Sequence, residues 1–288
     1  MKYSKYLILS DYDGTLSREG LILPEREKEA INEFVSQGGT FAVATGRGFR
    51  EIGGVFEDTP INAPSILWNG ALVMDIKNKK LIKSYPLEGD VKGMLRDIEE
   101  SFPDTIIQVQ CMSEDFTVYF GDCEDELREG LKQFSDIGVN AEDHFIDFFK
   151  TLTNKLVTLE EINEPIYKFL IVGGIDRMKE LKEYLLEKYD SLGYLIVSSA
   201  PFNVEVNSLQ ASKGQAGDFL KKEYFKDREY TVIALGDGEN DIDALKRADY
   251  SFAANNASNE IKAAADYVLK ENLGVIRQVL NFIDSSLR

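Results

Sequence analysis

Two acids end the first strand-like run of the sequence. Tyr6-Leu7-Ile8-Leu9-Ser10 leads directly into Asp11-Tyr12-Asp13-Gly14-Thr15. The run is too short for a helix and is bounded by turn formers, so it reads as a buried strand, apolar on both faces as in a parallel sheet. Ligands gather just beyond the carboxyl ends of such strands. Asp11 and Asp13 sit there, so one carboxylate can point into a site while the other residue turns its backbone carbonyl toward it. Gly14 lets the chain leave in a conformation that other residues resist. The same residues also suit a plain acidic turn. A calcium loop is excluded, because its glycine would come two places later and a glutamate would stand at its last position, which here is Ile22.

Other strand-like runs end in residues able to do chemistry. Thr45-Gly46-Arg47 follows the apolar run 40–44, and Asn69-Gly70 follows 65–68. Gly236-Asp237-Gly238-Glu239-Asn240-Asp241 follows 230–235, and Lys213 opens a helical stretch over 213–224. Each also has a plain reading: Thr45 as a helix N-cap, Lys213 as a solvated lysine at a helix start, Arg47 as half of a structural ion pair. Two rival motifs fail. Gly46-Arg47-Gly48 and Gly236-Asp237-Gly238 would need a further glycine where Glu51 and Asp241 stand, so neither is a dinucleotide loop. No Gly-Lys-Ser/Thr occurs, and His144, the one histidine, has no serine or cysteine motif near it and reads as a surface residue.

These residues need a frame. Ala30, Ile31, Phe34 and Val35 fall at helical spacing over 25–37, between Pro24 and Gly38-Gly39. A helix over 49–56, the strand 65–68, and strands 72–74 and 81–84 after the Asn-Gly turn follow. Helix, strand and site-forming loop in alternation is the rhythm of a doubly wound sheet. From residue 85 the texture changes to helices over 91–102, 124–134 and 178–189 and strands over 105–110, 116–120, 167–172, 194–198 and 203–206. This suits a separate α+β domain inserted into the first. The alternation resumes with helices 213–224, 241–248, 260–265 and 274–287 and strands 230–235 and 250–253. The spacing thus predicts an α/β protein: a doubly wound parallel-sheet (Rossmann-like) core over 1–84 and 207–288, with an inserted domain over 85–206.

Composition narrows the class. With 288 residues and 43% hydrophobic content the chain can bury a core in two domains. A formal charge of −17 argues against nucleic acid or an anionic membrane as partner, though not against a small phosphorylated metabolite that needs only a few local cations. Cys111 and Cys123 share no metal-site spacing and are expected to stay reduced. No stretch has the length of a membrane span or signal-peptide core, so a cytoplasmic protein is expected. The oligomeric state is not legible.

Taken together and in this order, Asp11-Tyr12-Asp13-Gly14, Thr45-Gly46-Arg47, Lys213 and Gly236-Asp237-Gly238-Glu239-Asn240-Asp241 resemble the motifs of the haloacid dehalogenase superfamily of phosphatases. Within it the chain resembles the Cof-type branch, which carries a large α/β cap. The resemblance covers both ends of the chain well and the middle loosely. It implies that Asp11 is the nucleophile forming an aspartyl-phosphate, that Asp13 is the general acid and base, and that Thr45, Gly46 and Lys213 bind the phosphoryl group. It also implies a metal held by Asp11, the Asp13 carbonyl and Asp237, with Asn240, Asp241, Arg47 and Asn69 in support. Electrostatics agrees: like charges about 4 Å apart repel by roughly 4 kcal/mol at an effective dielectric near 20, so four gathered acids and a phosphate require a cation. Mg²⁺ is expected, since phosphate oxygens and waters complete its octahedron. The expected function is hydrolysis of small phosphomonoesters, sugar phosphates or similar metabolites. The alternatives are a phosphotransferase or mutase using the same intermediate, and a non-catalytic phosphometabolite-binding protein.

Overall fold

A computed structural model of the protein describes residues 1–18, 20–134, 149–152 and 155–286; His144 lies outside them. The chain divides into two compact units, Met1–Ser84 with Ala211–Arg288, and Tyr85–Gln210. The first unit begins with β1 (Tyr6–Ser10), α1 (Glu25–Ser36), β2 (Thr40–Val43) and α2 (Phe49–Ile52). The helix expected over 49–56 stops after one turn, because Gly53 and Gly54 follow, and glycine has a poor helix propensity. Then come β3 (Ser65–Leu67), β4 (Leu72–Asp75) and β5 (Lys80–Ser84). Between β3 and β4 the chain reverses through three left-handed residues, Trp68 (φ 48°), Asn69 (φ 58°) and Gly70 (φ 104°). β3 therefore pairs antiparallel with β4, and β4 with β5.

The second unit contains α3 (Val91–Ser101), β6 (Ile106–Cys111), β7 (Asp115–Phe120), α4 (Glu124–Phe134), β8 (Ile166–Val172), α5 (Ile175–Tyr189), β9 (Tyr194–Val197) and β10 (Asn203–Ser208). Its strands form an antiparallel sheet in the order β7-β6-β8-β10-β9. Met94, Leu95 and Ile98 of α3 and Leu181 and Leu185 of α5 pack with Val109, Phe169, Val204 and Val206 of the sheet. Asp97 ties the two helices by accepting the hydroxyls of Tyr184 and Tyr189 at 2.8 and 2.7 Å. The unit ends at Gln210 rather than at 206, since β10 still pairs with β8 and β9 at Asn207. A boundary at 206 would cut a strand. Cys111 and Cys123 are buried and not joined in a disulfide, and they lie in different core clusters.

The first unit resumes with α6 (Lys213–Phe219), β11 (Thr231–Gly236), α7 (Ile242–Arg247), β12 (Tyr250–Ala253), α8 (Asn259–Ala264), β13 (Tyr267–Val268) and α9 (Val275–Ser286). Its principal sheet runs β13-β12-β11-β1-β2, parallel throughout. Leu7 and Leu9 of β1 and Ala42 of β2 pack with Ala216 of α6 and Leu220 just after it. α9 buries Ile276, Val279, Leu280 and Ile283. Glu27 of α1 satisfies two otherwise unpaired donors at its start, accepting the N–H groups of Val275 (2.9 Å) and Ile276 (3.1 Å). No helix among the described residues is long and apolar enough to cross a membrane.

Candidate active site

The register of the parallel sheet decides which strand ends meet. Ser10, the last residue of β1, lies between Leu235 of β11 and Val43 of β2. The ladder continues one step further. Asp11 donates its N–H to the Leu235 carbonyl (3.0 Å), and Ala44 donates its own to the Ser10 carbonyl (2.8 Å). Asp11, Asp237 and Thr45 therefore leave adjacent strands at the same edge, although more than two hundred residues separate the first two in sequence.

Asp11, Asp237 and Asp241 each present one carboxylate oxygen within 4.8 Å of the others. Lys213 enters this group from the first residue of α6. Its Nζ donates to Asp11 Oδ1 at 2.7 Å and to Asp241 Oδ1 at 2.6 Å, and its side chain is 1% exposed. The plain reading of a solvated lysine is thereby excluded. Burial works against its charge, but the two acids outweigh that and raise its pKa above the ordinary lysine value. The other Asp241 oxygen accepts the N–H groups of Asp237 (3.0 Å) and Gly238 (2.9 Å). Asp241 thus fixes both the loop and the lysine.

Burial pushes the Asp11 carboxyl well above the usual range; Lys213 opposes this, while Asp241, Asp237 and Asp13 reinforce it. Asp237 is pushed up to about 7, first by burial and then by Asp241, with the Thr15 hydroxyl pulling the other way. That hydroxyl donates to Asp237 Oδ1 at 2.9 Å, and Asn256 Nδ2 donates to Oδ2 at 3.0 Å. Neither Thr15 nor Asn256 stood among the sequence candidates. The available signal was position, since Asn256 follows β12, the next strand along from β11. Glycine is required where the backbone passes these acids. A Cβ on Gly14, whose φ is +76°, would lie 2.1 Å from Asp237 Oδ2, and one on Gly236 would lie 2.4 Å from Asp241 Cγ.

Asp13 stands apart from the three clustered carboxylates. Its two oxygens accept Arg47 Nε and Nη2, both at 2.7 Å, in a two-pronged ion pair. The carboxylate that joins Asp11 and Asp237 is that of Asp241. Thr45 is fully buried, and its N–H is taken by the Ile66 carbonyl at 2.8 Å, so that N–H cannot also donate to a phosphoryl group. Its Oγ1 accepts the Arg47 N–H (3.1 Å), leaving the hydroxyl hydrogen to donate. The helix that follows is capped at Gly48, so Thr45 is not its N-cap. Gly46 lies in the same loop. Asn240 and Asn69 meet across the site, Nδ2 to Oδ1, at 3.0 Å.

The donor set suits a hard divalent cation. Oxygen ligands converge, and two of the three acids are held above their ordinary pKa by burial and by one another, a conflict that a bound cation removes.

The sequence pattern of the haloacid dehalogenase-like hydrolases matches residues 8–275. Phosphatase YwpJ of Bacillus subtilis is 29% identical over 279 residues, which are 92% of this chain and 95% of that one. The 5-amino-6-(5-phospho-D-ribitylamino)uracil phosphatase YitU of the same organism is 24% identical over 279 residues, 94% of either chain. Among solved structures, a haloacid dehalogenase-like hydrolase from B. subtilis superposes with a TM-score of 0.75 over 99% of both chains at 24% identity, which establishes the shared fold. With the match running from β1 to the start of α9, and so through every strand end that carries an acid of the site, this chain belongs to the haloacid dehalogenase-like hydrolase family.

Proposed function

We propose that this protein is a Mg²⁺-dependent phosphatase that hydrolyses small phosphomonoesters through an aspartyl-phosphate on Asp11. The observation that carries this reading is the buried Asp11 carboxylate, fixed through one oxygen by Lys213 and set within 4.8 Å of the Asp237 and Asp241 carboxylates. Asp11 attacks phosphorus; the bond to the leaving oxygen breaks, its electron pair stays on that oxygen, and the oxygen takes a proton from Asp13. Asp13, then a carboxylate, removes a proton from water as the water oxygen bonds to phosphorus. The Asp11–phosphorus bond breaks and the Asp11 carboxylate is restored. Lys213 and the Thr45 hydroxyl, with Gly46 beside them, offset charge on the phosphoryl oxygens. Mg²⁺, held by Asp11, the Asp13 carbonyl and Asp237, supplies positive charge that lets the carboxylates and the phosphate share the site.

The substrate class is a small phosphorylated metabolite such as a sugar phosphate. YitU is named for a ribityl phosphate, which places phosphorylated sugar alcohols in the first panel to assay. The test is phosphate release with Mg²⁺ from that panel, beside Asp11→Asn. Turnover lost in the variant and dependent on Mg²⁺ is the expected result; an Asp11→Asn protein that still turns over would refute the nucleophile.

A further inference from the structure

We propose that Arg47 is a positioning residue for the general acid: it holds the Asp13 carboxyl in the orientation from which the leaving oxygen is protonated. The inference rests on the phosphatase reading above. Its observations are independent of the acid cluster around Asp11. Arg47 Nε and Nη2 each meet one Asp13 oxygen at 2.7 Å, and Nη1 is held by Glu51 Oε1 at 3.3 Å. The guanidinium is thus fixed along two of its edges.

The backbone that carries it is fixed as well. The Arg47 N–H donates to Thr45 Oγ1 (3.1 Å), and its carbonyl accepts the N–H of Trp68 (3.1 Å), the first of the three left-handed residues between β3 and β4. Glu51 braces the same loop through its second oxygen, which accepts the Gly48 N–H at 2.8 Å. Glu51, Arg47 and Asp13 therefore form a chain that starts on α2 and ends on the loop after β1.

Stability alone does not account for this arrangement. The Asp13 side chain is 46% exposed, so solvent screens part of the pair's attraction to Arg47. What a two-pronged pair supplies there is orientation, because a planar guanidinium accepts a carboxylate in one plane and one direction. Each Asp13 oxygen keeps a second lone pair for the proton that it transfers. A lysine would keep the charge and lose the direction.

The test uses two esters. An alkyl phosphate such as glycerol 1-phosphate needs its leaving oxygen protonated; p-nitrophenyl phosphate does not, because its leaving anion is stable. Arg47→Ala should lower kcat on the alkyl ester by about tenfold to a hundredfold, with KM within about twofold, and lower it on p-nitrophenyl phosphate far less. Arg47→Lys should fall between, and methylguanidine should restore Arg47→Ala on the alkyl ester. Equal losses on both esters, in a protein whose Asp13→Asn variant is slowed more on the alkyl ester than on p-nitrophenyl phosphate, would overturn the inference and leave the general-acid reading standing. A rise confined to KM would make Arg47 a phosphate contact instead. If Asp13→Asn leaves turnover of the alkyl ester unchanged, the general-acid reading itself falls.

Discussion

Lys213 spans two acids that would otherwise face each other without a counter-charge, so its removal acts on stability as well as on rate. Lys213→Met should cost about 3–5 kcal/mol, the usual penalty for breaking a buried ion pair by deleting one partner. It should also lower kcat by about 10²- to 10³-fold. Denaturant unfolding and phosphate release measure the two effects, and an unchanged midpoint would contradict the buried bridge. Asp237 gives a pH dependence. Its carboxyl is raised from an ordinary value of 3.8 to about 7, so the folded chain without a cation holds that proton more tightly than the unfolded chain does. The stability linked to that proton is complete below about pH 4 and is lost as pH rises through about 7. A divalent cation replaces the proton, so the gain in Tm on adding Mg²⁺ should grow from pH 5 to pH 8, and Asp237→Asn should flatten that trend.

At the scale of elements, Glu27 shows how a polar residue can belong to packing. Burial raises its carboxyl while the N–H groups of Ile276 and Val275 pull it down, and the residue is 1% exposed. Glu27→Ala leaves those donors unpaired inside the first unit and should cost about 1–3 kcal/mol by denaturant unfolding, with phosphate release per folded molecule unchanged. Most elements were legible in the sequence because their periodicities are local: the apolar face of α1 and the short runs of β1, β2 and β11 need no partner to be seen. Two were not. A helix over 49–56 extends past the turn where Gly53-Gly54 ends it, and β13, with two residues, is too short to show alternation.

For the whole molecule, the division at Ser84/Tyr85 and Gln210/Ala211 sets the deletion to make. A chain of 1–84 joined by a flexible linker to 211–288 should fold cooperatively, read by circular dichroism and thermal unfolding, because the complete parallel sheet and α9 lie within it. A chain resumed at 207 would carry Asn207 and Ser208 of β10 without the β8 and β9 strands they pair with. Turnover by the intact protein should stop on chelation and return with Mg²⁺; activity that persists in chelator would sink the metal argument.

Residue types and order determined by themselves that acids, a threonine and a lysine stand at the ends of core strands and at the start of a helix, and with that the family. Strand period and turn chemistry are local properties, so one chain read once is enough to expose them. The tertiary structure alone decided which acids share a site. Asp241 rather than the Asp13 carboxylate joins Asp11 and Asp237, and the Asp13 carboxylate pairs with Arg47. It also decided that the Thr45 N–H is spent on Ile66 and that Lys213 is buried. These are matters of sheet register and side-chain direction between segments far apart in sequence, set by packing that no local pattern contains.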